Sequence, residues 1–401
     1  MRTLRADERS TADDGTDLPL VVEPTGANDL AAACAAHGAH LLRLLDLSGG
    51  ALLLRGWSVD SEESFERAMA RLPLRPIADY FPAEPGRRPP AIAGKCWQTN
   101  SLKTTGGYIG GEVLPHSECY YALEPPTYAA FCCLRAPWLG GQTALFDGAG
   151  ALASLPMATR RRIERSACAV RRTLSLRRLG RRHGVVGAAA VGALRRACAA
   201  GGVRLDALGD GHVQLTFQKP SVVVAGSARR RHLCVNFGEC GARARRALLD
   251  ALRARGLFGG RAWAAHRVAW AAASRWPLIR KLISLVDELP GWLRQPRRML
   301  ALRAERQAAA AAAEAAADGD GWPTLGETLG TAGGVALGRA LGAHASVFAW
   351  RAGDVLLIDN RRVMHDGLPG FGPRQLRALF FDAFEMPQAM ERRGSGVFDA
   401  G

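Results

Sequence analysis

His116 and Glu118 stand two positions apart in "LPHSECYY" (114–121), among apolar and aromatic neighbours. An imidazole and a carboxylate are both strong ligands for a divalent metal ion. On a β-strand, residues i and i+2 project to the same side, so this spacing could aim both side chains at one ion. The pair proves little alone. With nine His and 37 acidic residues in 401, about one His-x-acid pair arises by chance, and a surface ion pair is the competing reading. A facial metal site needs a third ligand from elsewhere in the chain and leaves three positions open. His365, in "LLIDNRRVMHDGLPGFGPRQLR" (356–377), is the candidate. It follows an apolar run and precedes a Gly/Pro turn, where a strand would leave a sheet. Its alternative is a buried structural histidine bonded to a carbonyl. Two nitrogens, one carboxylate, no thiolate and open positions suit Fe(II) and oxygen chemistry better than structural zinc.

The elements that would position these residues are legible in outline. "DLAAACAAHGAHLLRLL" (29–45) has helical spacing. "GALLLRGWSV" (50–59) reads as a buried strand after Gly-Gly, and "SEESFERAMARL" (61–72) as a helix with a serine cap. A Pro/Gly-rich loop follows at 84–94. Strand-length runs appear at 127–137, 144–147, 213–226, 232–239, 345–360 and 374–384. Residues 241–317 are rich in Arg, Ala and Leu and read as mostly helical, ending in an alanine run. The order β, helical insert, β suits one barrel-like core whose sheet is closed by distant segments. The expected organisation is a flexible N-terminus at 1–17 and a single domain over 18–401, with the helical insert at about 241–317.

Composition narrows the class. Hydrophobic residues make up 48% of the chain, enough for a sizeable core. No apolar run approaches the ~18 residues of a membrane span. The polar N-terminus lacks the apolar stretch of a secretory signal, so a cytoplasmic protein is expected. Nine cysteines without a C-x-x-C pair read as small buried hydrophobes in a reducing compartment. The net charge of +16 invites a nucleic-acid reading. Only four of the 53 basic residues are lysine, however, and arginine rises together with alanine and glycine, as a GC-rich coding sequence would produce. The basic stretch 160–183 reads as solvated helix faces.

Four short motifs carry a resemblance that none carries alone. They are "HSE" (116–118), "GGQT" (140–143), "DNRRVMH" (359–365) and "GPR" (372–374), with Arg374 nine residues after His365. With "GALLLRGW" (50–57) and "WRAGDVLLIDN" (350–360), they make the chain resemble the Fe(II)/2-oxoglutarate-dependent oxygenases of the taurine dioxygenase superfamily. The nearest branch is that of the asparagine and syringomycin-pathway oxygenases, which hydroxylate amino acids in peptide natural-product biosynthesis. The resemblance runs over roughly 18–386 and is faint across 155–320.

The resemblance implies a mainly β fold with flanking helices. Its core would be a double-stranded β-helix (jelly roll), clavaminate-synthase-like, with a helical insert. His116, Glu118 and His365 match the iron ligands. Arg374 matches the residue that binds the far carboxylate of 2-oxoglutarate, and Thr143 the hydroxyl donor to that carboxylate. Asn100, in "WQTNS", falls in a segment that often lines the pocket. Fe(II), 2-oxoglutarate and O2 are the implied cofactor and cosubstrates, with succinate as a product. The implied substrate is an amino acid or related small metabolite, free or tethered to a carrier protein, and the implied outcome is C–H hydroxylation, with desaturation or cyclisation open to the same centre. The insert falls where the superfamily places lid elements. The reading from another class is a basic nucleic-acid-binding protein with a vestigial barrel, which would require steeply salt-dependent association and no iron.

Overall fold

The computed structural model describes residues 18–77, 97–98, 113–120, 122, 124–176, 192, 195–196, 198, 203–207, 211–275 and 323–384. The N-terminal 1–17, the 84–94 loop, Asn100 and the end of the helical block lie outside these residues.

The chain opens with β1 (Leu20–Val22), α1 (Leu30–Leu47), β2 (Ala51–Leu54) and α2 (Glu62–Met69). Asp29 caps α1 by accepting from the amides of Ala31 and Ala32. Ser61 caps α2 in a reciprocal box with Ser64. Each cap satisfies amides that the first helical turn leaves without partners. Next come β3 (Trp97–Gln98), β4 (Pro126–Arg135), β5 (Leu139–Gly140), β6 (Thr143–Asp147), α3 (Gly148–Ala153) and α4 (Met157–Arg165). The middle of the chain forms β7 (Ala167–Ser175), β8 (Arg204–Ala207), β9 (His212–Pro220), β10 (Val222–Ala225) and β11 (Arg230–Leu233). Among the described residues, three α-helices follow: α5 (Gly241–Ala254), α6 (Gly260–Arg275) and α7 (Leu325–Ala343). The last strands are β12 (Ala345–Phe348), β13 (Val355–Asp359), β14 (Val363–Gly367), β15 (Gly370–Phe371) and β16 (Gln375–Ala383).

Two sheets face each other. The larger has the order β1-β2-β13-β4-β16-β3 and the smaller β12-β6-β14. Both interleave strands from opposite ends of the chain, as a jelly roll does. Strand alternation assigns the faces. Phe131, Cys133, Leu356, Ile358, Ala378 and Phe380 of the larger sheet meet Leu145, Phe348 and Val363 of the smaller in the inner cluster. The other face of the larger sheet, with Cys132, Leu357 and Phe381, packs on α1 and α2. The adjacent Cys132 and Cys133 therefore serve opposite layers. The outer face of the smaller sheet, with Ala144, Phe146 and Met364, packs on α5 and α7.

α5 is thus part of the outer helical layer. Its Ala244, Leu248 and Leu252 are buried, and α7 approaches it closely through glycines. A Cβ at Gly338 would lie 2.4 Å from the Ala244 carbonyl oxygen, so a larger residue there would push the helices apart. Among the described residues, no helix is long and apolar enough to cross a membrane. The eight described cysteines are free thiols, all buried except the half-buried Cys198.

Three local expectations are corrected. The basic stretch after Arg165 continues as a strand, because β7 pairs along its whole length with β9, a partner that local spacing does not reveal. The strand expected at 232–239 ends at Leu233, and Phe237–Cys240 is a 3-10 turn capped by Asn236. His116 and Glu118 do not share a strand: His116 makes single-residue bridges, and the chain turns at Glu118.

A buried ion pair ties β2 to the loop before β13. Arg55 donates through Nε to Asp354 Oδ1 at 3.0 Å and through Nη2 to Oδ2 at 2.6 Å. Asp354 also accepts from the Arg351 amide. Asp354→Ala would leave the guanidinium buried without its carboxylate, and should destabilise the fold by about 3–5 kcal/mol. The apolar double replacement Arg55→Met/Asp354→Leu should cost far less. Denaturant unfolding of the two variants checks this; equal losses would mean that the buried charge is not what the single replacement exposes.

Candidate active site

The site forms at the edge of the smaller sheet. Along β14, Met364 faces the helices and Val363 the interior, so alternation turns His365 inward. His116 pairs with it directly: the His116 amide donates to the His365 carbonyl at 3.2 Å, and the His365 amide donates back at 3.0 Å. Residues that exchange both bonds are directly opposite, with side chains on one face, and the two rings lie 4.8 Å apart. His116 also bridges Asn236 on its other side. The chain then turns through residues 118–120, with Cys119 in the left-handed region at φ 62°, and this turn brings Glu118 back to the histidines. Glu118 Oε2 lies 3.4 Å from His365 Nε2 and 3.9 Å from His116 Nε2. The three donor atoms all lie within 4.8 Å of one another.

The protonation pattern fits a metal ion. His116 Nδ1 is 2.9 Å from the Leu114 carbonyl oxygen, which can only accept. Nδ1 therefore carries a hydrogen, and Nε2 is the ring nitrogen turned toward Glu118. Burial pushes the pKa of His365 down, and His116 adds to this while Glu118 opposes it. That favours the neutral imidazole, which is the ligating form. A carboxylate oxygen facing two imidazole nitrogens calls for a shared cation. Glu118 is only 2% exposed, so the pair is not a surface ion pair. The His365 ring packs on Phe131 at 4.9 Å, which fixes its orientation.

A second cluster lies two residues further along β14. Gly367 pairs with Thr143 across β6. A Cβ at Gly367 would sit 3.1 Å from Arg374 Nη1 and 3.2 Å from Nη2, so the glycine makes room for the guanidinium. Arg374 is 5% exposed and donates through Nη1 to the Gly141 carbonyl at 2.8 Å. Burial lowers its pKa and Asp366 opposes this; an arginine nonetheless stays cationic at physiological pH. Thr143 Oγ1 accepts from the Trp350 indole at 2.8 Å. Since the indole nitrogen can only donate, the hydroxyl hydrogen of Thr143 remains to be given elsewhere. The Gly-Gly of "GGQT" is required by shape: Gly140 and Gly141 have φ of 62° and 66°, and a Cβ at Gly140 would lie 2.3 Å from the Pro369 carbonyl oxygen.

The structure therefore brings His116, Glu118 and His365 together and sets Arg374 beside the Thr143 strand. Asn100 lies outside the described residues. Arg377 alternates with Leu376 and Ala378 of the interior and shares the helix side with Leu379 and Phe381, where it pairs with Glu62. Trp350, Asn360 and Gly367 also serve the site, and local spacing does not reveal their roles. Trp350 and Asn360 stand inside quoted motifs, but only the fold shows which groups they hold.

No curated protein matches the chain. Among solved structures it is similar to PvcB, an Fe, alpha-ketoglutarate dependent oxygenase from an isonitrile synthetic pathway. The two are 12% identical over 92% of this chain and 88% of that chain, with a TM-score of 0.48. It is also similar to AAD-2 in complex with Mn(II) and N-oxalylglycine, at 13% identity over 92% of this chain and 95% of that one, with a TM-score of 0.41. A family model matches residues 16–247, more than half of the chain and a span that includes "HSE" and "GGQT". On that match the chain belongs to the taurine catabolism dioxygenase TauD, TfdA family, and it is an Fe(II)- and 2-oxoglutarate-dependent oxygenase that uses O2.

Proposed function

We propose that this oxygenase hydroxylates an unactivated C–H bond of an amino acid or related small metabolite, free or carrier-bound, in cytoplasmic natural-product biosynthesis. His116, Glu118 and His365 hold the iron, while Arg374 and Thr143 hold the far carboxylate of 2-oxoglutarate. The observation that carries the reading is the convergence of two imidazoles and one carboxylate within 4.8 Å from segments almost 250 residues apart in sequence. With iron and 2-oxoglutarate bound, the centre couples oxidative decarboxylation of the keto acid to succinate with oxidation of the substrate. The chain supplies position and charge. His116, oriented by the Leu114 carbonyl, and His365, packed on Phe131, present their Nε2 atoms to Glu118. The Arg374 fork matches a carboxylate through two charge-assisted bonds. Thr143, whose oxygen is held by Trp350, adds one hydroxyl donor. The motif resemblance to the amino-acid-hydroxylating branch supports the substrate class.

The test is an anaerobic titration of the purified protein with Fe(II) and 2-oxoglutarate. A visible metal-to-ligand charge-transfer band should grow to one equivalent of each. A protein that binds iron without developing the band would sink the cosubstrate assignment.

Glu118 also bears on the outcome of turnover. Related iron halogenases carry a small residue at the acidic position, which leaves room for a halide. Here a buried carboxylate occupies that position and repels an incoming anion. With a turned-over substrate, the product should gain oxygen or, for desaturation or cyclisation, lose two hydrogens. Mass spectrometry in excess chloride or bromide should detect no halogenated product. A chlorinated product from the unaltered protein would remove Glu118 from the metal.

A further inference from the structure

The turn that carries Glu118 is held from three directions, by residues with no assigned part in the reaction. Asn360, 0% exposed, clasps the Glu118 backbone. Its Oδ1 accepts from the Glu118 amide at 2.5 Å, and its Nδ2 donates to the Glu118 carbonyl at 2.9 Å and to the Pro126 carbonyl at 2.8 Å. Lys219, 1% exposed, donates to the Tyr120 carbonyl at 2.6 Å and fixes the far end of the turn. Between them, the Cys119 thiol lies 3.4 Å from Glu118 Oε1 and donates to it. The two carboxylate oxygens are thus differentiated: Oε1 meets the thiol, while Oε2 faces both imidazoles.

Cys119 is an unusual residue for its backbone. At φ 62° a side chain is disfavoured and glycine is the unstrained choice. Strain of this kind persists where the surroundings impose it, and it clusters at functional sites. The thiol is what a glycine would lack.

We infer that Cys119 and Asn360 are positioning residues for Glu118: Asn360 sets where the carboxylate stands, and the Cys119 thiol occupies Oε1 so that Oε2 alone is presented to the metal. A carboxylate free to use both oxygens would take up a position that the keto acid needs. The effect of losing the thiol should therefore fall on 2-oxoglutarate binding more than on Fe(II) binding. This inference rests on the reading of Glu118 as an iron ligand.

The experiment compares Cys119→Gly, Cys119→Ser, Asn360→Ala and Glu118→Ala in the full-length chain. Thermal unfolding, anaerobic Fe(II) affinity, and 2-oxoglutarate affinity from the charge-transfer band at saturating Fe(II) are measured for each. Cys119→Gly relieves the backbone, so its unfolding temperature should hold or rise. Its 2-oxoglutarate affinity should nevertheless fall roughly tenfold, with a displaced band, while Fe(II) affinity changes little. Cys119→Ser restores a donor and should recover most of the loss. Asn360→Ala should weaken Fe(II) itself by roughly 10-fold or more. A merely structural role predicts the same unfolding behaviour for Cys119→Gly but unchanged 2-oxoglutarate binding and an undisplaced band. If Glu118→Ala abolishes Fe(II) binding while Cys119→Gly leaves 2-oxoglutarate affinity and band untouched, the inference on Cys119 is overturned and the ligand reading stands. If Glu118→Ala leaves Fe(II) binding intact, both are overturned.

Discussion

Replacing His365 with alanine should abolish 2-oxoglutarate-dependent succinate formation and leave a folded protein. Its Nε2 faces Glu118 Oε2 from 3.4 Å, and removing it leaves the ion two protein ligands. Losing an outer-shell partner already costs 10–100-fold in metal affinity, so losing a direct ligand should cost more than about 100-fold. The same holds for His116→Ala, whose ring reaches the cluster from the opposite side of a single cross-strand pair. The fold should survive because the pairing between residues 116 and 365 is made by backbone groups, which alanine keeps. In the metal-free protein the change should lie within the common range for single replacements, about 0.5–3 kcal/mol. Part of that loss is offset, since the variant no longer confines an imidazole beside a second imidazole at a buried carboxylate. Anaerobic Fe(II) titration, succinate assay and circular dichroism on each variant check this. Near-normal turnover with iron at that site would show that the ion has other ligands.

Much of this site was legible because its chemistry is encoded in short, rigid spacings. His116 and Glu118 are two residues apart, and Arg374 follows His365 by nine, with a Gly/Pro turn between. The elements with strong local signals also emerged, among them the Ser61-capped helix and the strand at 355–359, whose apolar run Val355–Ile358 is buried on both faces. What stayed hidden depends on partners distant in sequence. β7 is a strand because β9 pairs with it, not because "ACAVRRTLS" alternates. Glu118 stands near His116 for a reason that local spacing does not show. Strand alternation was expected to align the pair, yet a turn at Cys119 and a cross-strand bridge do so. Asn360 could be seen in "DNRRVMH" only as a motif letter; its three bonds reach segments more than 200 positions away. A side chain's bonding partner across a sheet leaves no trace in local spacing.

Arg374→Lys should weaken 2-oxoglutarate binding roughly 10- to 100-fold while leaving Fe(II) binding near normal, the range expected from losing one charge-assisted hydrogen bond of about 1.5–3 kcal/mol. Lysine keeps the charge but not the planar fork, so it can oppose a carboxylate only as a point. The site is shaped for the fork. Gly367 leaves space where any Cβ would meet the guanidinium at 3.1 Å, and the Gly141 carbonyl takes one Nη1 hydrogen. A lysine ammonium would have to satisfy that carbonyl and the carboxylate with one nitrogen, in a pocket where an unsatisfied buried donor is itself costly. Arg377→Lys is the internal control. It lies three residues on, within β16 where Arg374 immediately precedes that strand, and faces α2, paired with Glu62, so its 2-oxoglutarate affinity should stay within about twofold of wild type, as for a replacement that touches no bound group. Titrating 2-oxoglutarate against the charge-transfer band at fixed Fe(II) separates the two. Equal losses in both variants would indicate a general effect of the strand, and an unchanged affinity in Arg374→Lys would place the far carboxylate elsewhere.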